Sequence, residues 1–70
     1  MIEPRLYYFY ATINLETRKC LGVRRTTEVI DNPAAIPIPV FDSNYYGKYY
    51  INGNWYEDAA GTIPWTSSLL

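Results

Sequence analysis

Cys20 is the only thiol in this 70-residue chain, and the chain has no histidine. Histidine is the commonest general base, so its absence removes the Ser/His and Cys/His arrangements of nucleophilic catalysis. Cys20 lies in a run of strand-forming residues with no base to activate it, and reads as a small apolar residue in a sheet. One thiol makes neither an internal disulfide nor, without histidine, a zinc site. The carboxylates are Glu3, Glu16, Glu28, Asp31, Asp42, Glu57 and Asp58. Glu57 and Asp58 are adjacent, and neighbours on a strand point to opposite faces, which argues against a shared catalytic or calcium site. The four glycines are scattered, so no phosphate-cradling loop is expected. No catalytic residue, metal or cofactor is expected, and the chain reads as non-enzymatic.

What remains is binding chemistry. Arg18-Lys19 and Arg24-Arg25, interleaved with Tyr8 and Tyr10, suggest a nucleic-acid-stacking face. A net charge of −1 is too balanced for phosphate neutralisation. The preferred reading is a charged edge that discourages sheet aggregation, with no nucleic-acid partner. Eight tyrosines and two tryptophans are the richest feature, and Tyr45, Tyr46, Tyr49, Tyr50, Trp55 and Tyr56 cluster together. Aromatic platforms suit sugars. The plainer reading puts half of these rings in the core of a small sheet and the others in a protein interface.

These residues must be positioned by a single domain, because 70 residues allow no more. A core of that size seldom supplies more than about 3–5 kcal/mol unless stapled. With disulfide and metal excluded, oligomerisation or docking on a partner is the expected support. Hydrophobic residues make up 49% of the chain, which places it outside the disordered class. No apolar stretch approaches the roughly 20 residues of a membrane helix. Glu3, Pro4 and Arg5 interrupt the start, so no secretory signal is expected.

Periodicity predicts a strand over Leu6–Leu15, with Tyr7, Phe9, Ala11, Ile13 and Leu15 toward the core and Tyr8, Tyr10, Thr12 and Asn14 outward. After a polar break at Glu16–Arg18, Lys19–Thr27 returns as the second arm of an antiparallel hairpin. Leu21 and Val23 are expected on one face, Cys20 and Arg24 on the other. Gly22 marks either a bulge or a place where Tyr8 or Tyr10 lies over the backbone. Asp31-Asn32-Pro33 is a turn signal. Pro37 and Pro39 make Ile36–Phe41 an edge strand or a polyproline-like segment. Asp42–Gly47 predicts one helical turn, capped by Asp42 and left through Gly47. Asn52-Gly53 favours a type I′ turn. That turn sets Tyr50 against Trp55, Lys48 against Glu57 and Tyr49 against Tyr56. A Gly53-Asn54 turn, which would shift the register by one, is the less favoured option. Residues 59–70 have no clear period. Ile63-Pro64-Trp65 and Leu69-Leu70 are too apolar for an idle tail, so Ile63–Leu70 is expected to be a contact element.

Two segments, Tyr7–Val23 and Ile36–Asp58, resemble a pattern in small virion proteins and fibre-associated modules of tailed bacteriophages. Cys20-Leu21-Gly22-Val23, Asp42, Gly47-Lys48 and Tyr50–Trp55 carry the resemblance, which covers somewhat over half the chain. It implies a virion structural part, such as a fibre-base, tail-associated or capsid-decorating protein, made in the host cytoplasm and located in the particle. Its partners would be other virion proteins or further copies of itself, without a membrane.

The expected fold is mostly β: a small antiparallel sheet of two hairpins, one short helical turn and extended termini. The expected function is non-catalytic assembly through protein–protein contacts. The first alternative is a receptor- or glycan-binding module, and the second a small regulatory or inhibitory protein. The candidate contact residues are Tyr8, Tyr10, Tyr50, Trp55, Tyr56, Trp65, Leu69 and Leu70.

Overall fold

A computed structural model describes residues 7–70; the expected leader and the Leu6 end of the first strand lie outside them. The described chain is mostly β. Strands β1 (Tyr8–Ile13), β2 (Cys20–Thr26) and β3 (Ala35–Ile38) precede a 3-10 turn at Ser43–Tyr45, and β4 (Tyr49–Ile51) and β5 (Asn54–Tyr56) follow it. They form two antiparallel ladders, one in the order β2-β1-β3 and one of β4 with β5.

The first hairpin turns on Asn14. Its side-chain carbonyl accepts the backbone N–H groups of Glu16 (2.8 Å) and Thr17 (3.1 Å). Arg18 closes the turn with φ 67°. Between Thr12 and Ile13 the register with β2 slips by one, because Thr12 pairs with Gly22 and Ile13 with Cys20. Leu21 is the extra residue, so the bulge reading of Gly22 holds. A Cβ built on Gly22 would meet nothing within 4 Å, so no ring lies over it. The bulge overturns the expected faces. Cys20 is fully buried opposite Ile13, Val23 lies opposite Ala11, and Leu21 is 55% exposed. The extra residue reverses the alternation, bringing Cys20 and Val23 to the same side. Tyr7 and Leu15 are also exposed rather than core-facing, because pairing begins at Tyr8 and Leu15 belongs to the turn.

The proline run is an edge strand only through Ile38; Pro39 and Val40 bend away from it, and Phe41 lies outside the strand. Ile13 N–H donates to the Ala34 carbonyl at 2.9 Å. Stepping by two puts Ile36 and Ile38 in the same hydrogen-bonding phase. Pro37, opposite Tyr10, therefore presents its missing N–H to the open side. β3 and β2 flank β1 and run parallel to each other, so the chain from Thr27 to Ala34 must cross the sheet. It does so over the face expected to be open. Ile30 N–H donates to the Tyr10 hydroxyl at 3.0 Å, and Tyr10 is 4% exposed. Tyr10 is thus a structural residue rather than an exposed contact.

The second hairpin has the expected register: Tyr49 faces Tyr56, Tyr50 faces Trp55 and Ile51 faces Asn54. Asn52 (φ 51°) and Gly53 (φ 84°) both take the left-handed backbone of a type I′ turn. Pairing ends at Tyr49 and Tyr56, so the expected Lys48–Glu57 pair does not form as a ladder pair. Lys48 Nζ lies 5.2 Å from the Trp65 ring centroid instead. This hairpin docks on the start of β2 by backbone bonds: Cys20 N–H to Lys48 carbonyl (2.7 Å), Gly47 N–H to Cys20 carbonyl (3.1 Å) and Tyr50 N–H to Arg18 carbonyl (2.9 Å). The core is Ala11, Ile13, Cys20, Ile38 and Tyr45, with Phe9, Val23, Trp55 and Trp65 packed against it.

Candidate functional site

Asp42 caps the 3-10 turn as expected, accepting Asn44 N–H at 2.9 Å, and Gly47 leaves the turn region at φ 84°. This short turn buries Tyr45, which is 2% exposed. Both tryptophans meet Tyr45 edge-on, each with ring centroids 4.9 Å away. Trp55 arrives from β5, where Tyr50 packs beside it at 5.0 Å. Trp65 arrives from the C-terminal segment, which runs antiparallel to β5. There Trp65 N–H donates to the Trp55 carbonyl (3.0 Å), and Glu57 N–H donates to the Ile63 carbonyl (2.8 Å).

Two carboxylates hold that segment in place. Asp58 accepts the Thr62 hydroxyl and the N–H groups of Thr62 and Ile63, both at 2.9 Å, which fastens the bend before Pro64. Farther along, the Ser67 hydroxyl donates to Asp42. The Thr62 hydroxyl and the Ile63 N–H hold the Asp58 carboxyl below its ordinary pKa. The Ser67 hydroxyl and the Asn44 N–H do the same for Asp42. Burial, followed by the Asp42 charge, pushes the Tyr45 phenol up. Burial likewise raises the Cys20 thiol, whose Sγ donates to the Gly22 carbonyl at 3.2 Å.

Between the hairpin and the C-terminal segment lies a cleft of about 260 Å³, walled by Pro39, Tyr45, Trp55, Trp65 and Leu70. Asn54, Thr66 and Ser67 supply its polar lining. Of the residues expected to make contacts, the fold gathers Trp55, Trp65 and Leu70 here, with Tyr50 packed beside Trp55. Tyr56 is half-buried beside the Gly61 bend. Tyr8 is half-buried on the sheet face that Tyr10 shares, and Leu69 is exposed. The chain matches no protein-family model, no curated protein and no solved structure.

Pro39, Asn54 and Thr66 carried no local signal for this cleft, because three separate segments bring them together. Tyr45 belonged to the aromatic cluster of the sequence, but its place in the cleft depends on the capped turn. Among the described residues, no group of three or more His, Cys, Asp or Glu side chains converges, and no helix is long and apolar enough to cross a membrane.

Proposed function

We propose that the chain is a non-catalytic assembly protein acting through protein–protein contact. Its setting is the one the sequence resemblance implies, a tailed-bacteriophage particle, as a fibre-base, tail-associated or capsid-decorating part. One observation carries the docking reading. Nine large apolar side chains are exposed among the described residues, against six buried hydrophobic ones. With nine large apolar side chains exposed, the fold gains by covering them, and a core this small has little other reserve.

Leu69 and Leu70 illustrate the point, at 61% and 64% exposed. The segment that bears them is fastened to its own domain through Trp65 and Ser67, yet presents these two leucines outward. Burying a leucine completely is worth roughly 1.5–3 kcal/mol, so a partner covering both would add appreciably to stability. Mass spectrometry of purified particles tests the setting, and the expected result is stoichiometric co-purification. Recovery only from the soluble fraction of infected cells would overturn the virion reading. A melting temperature that is high and independent of protein concentration and of partner would overturn the docking reading.

A further inference from the structure

We infer that the cleft between Trp55, Trp65 and Leu70 is a subsite for one uncharged pyranose ring. This goes beyond the assembly role proposed above and stands or falls separately from it. The walls come first. Trp55 and Trp65 are each half-buried and braced edge-on by Tyr45, so their rings are held before any ligand arrives. The C-terminal wall is fixed at two points, by Trp65 N–H on the Trp55 carbonyl and by Ser67 on Asp42. Rigid aromatic walls suit a ring with an apolar C–H face, because little ordering remains for binding to bring about.

The lining then narrows the ligand. Its side chains are aromatic, apolar, amide or hydroxyl, with no carboxylate, ammonium or guanidinium among them. The Asn54 amide is exposed, and its nitrogen reaches only the Asn52 carbonyl at 3.4 Å. Thr66 is exposed at the rim. Neutral donors and acceptors above aromatic walls fit hydroxyl groups on the edge of an uncharged ring. An apolar side chain from a protein would use the walls but strip water from Asn54 and Thr66 without replacing its hydrogen bonds. A nucleotide would bring a phosphate, and no lysine or arginine lines the cleft to meet it. The volume of about 260 Å³ lies below the roughly 300–1,000 Å³ of drug-sized sites, so one ring fits better than an extended oligomer.

The test titrates the full chain with the methyl glycosides of glucose, galactose, mannose and N-acetylglucosamine, to about 50 mM so that millimolar affinities register. Tryptophan fluorescence and amide NMR follow binding. At least one glycoside should saturate, shifting the Trp55 and Trp65 indoles and the Asn54 side-chain amide. Asn54→Ala and Thr66→Val, both at exposed positions, should each weaken that binding by about three- to tenfold, as expected for one lost hydrogen bond. Their melting temperatures should stay unchanged. Lack of saturation with all four glycosides would overturn the inference, as would binding indifferent to both variants. Tighter occupancy by N-acetyl-leucine methylamide than by any glycoside would also overturn it, and would assign the cleft to a protein partner.

Discussion

The Ser67 hydroxyl donates to the Asp42 carboxylate across 25 positions of sequence, joining the C-terminal segment to the cap of the 3-10 turn. One carboxylate therefore holds both the turn that buries Tyr45 and the strap that carries Trp65. Because its folded pKa is depressed, the stability it contributes is present above the unfolded value of about 3.9 and lost as pH falls through the folded value. Acidification below about pH 4 should loosen the strap. Ser67→Ala should raise the Asp42 pKa, read by carboxyl carbon NMR, while Thr62→Val should raise that of Asp58 and leave Asp42 alone. An Asp42 titration unchanged in Ser67→Ala would refute the latch.

The C-terminal segment should divide into a folding part and a contact part. Deleting Thr62–Leu70 removes Trp65 from Tyr45 and should leave a monomer that unfolds or aggregates. Trp65→Ala should cost toward the lower end of the roughly 3–5 kcal/mol typical of buried aromatic truncations, because the ring is half-buried. Leu69→Ser with Leu70→Ser should preserve the melting temperature and reduce association with particles. A truncated chain that melts like the intact one would show that the segment contributes nothing to the fold.

Two glycines should respond in opposite directions. Gly53→Ala meets no atom within 4 Å but must hold φ 84°, so it should destabilise by about 1–2 kcal/mol. Gly22→Ala has the same open space without a left-handed backbone. Restricting the unfolded chain should then stabilise it by about 0.4–1 kcal/mol. Urea midpoints of the two variants check both signs, and a destabilised Gly22→Ala would mean that the bulge needs glycine for another reason.

Tyr10→Phe keeps the ring and removes the acceptor of the Ile30 N–H. A buried donor left unpaired costs about 1–3 kcal/mol, and half-buried Ile30 places the loss near the lower figure. Hydrogen exchange at the Ile30 amide should accelerate more than at Ala11. Equal acceleration at the two sites would point to global destabilisation instead.

Cys20 should resist thiol reagents in the native state, because it is fully buried with a raised pKa. Its labelling rate should follow global unfolding across a urea series. The sign on the alkaline side is also defined. The unfolded thiol ionises first, so stability falls as pH rises above about 8.5. Rapid labelling in native buffer would contradict the burial.

Local chemistry determined a good part of this structure. Asn52-Gly53 set the register of β4 with β5, because both turn positions require a positive φ that these residues tolerate. Asp42 announced the turn by its capping side chain, and Pro37 announced an edge strand by the donor it lacks. The abundance of tyrosine and tryptophan supplied the rings that wall the cleft.

Tertiary structure decided which faces those elements present. Cys20 turns inward and Leu21 outward because the bulge reverses the alternation just where β2 meets the second hairpin through Cys20 and Lys48. Tyr10 is buried because a chain passing between parallel strands on either side of β1 has to cross one face of the sheet. The cleft exists because Tyr45, Trp55 and Trp65, from a turn, a strand and an irregular segment, converge at 4.9 Å. Periodicity reports only which side of its own element a residue occupies. What covers that side depends on contacts between segments distant in sequence, and those contacts form only in the folded chain.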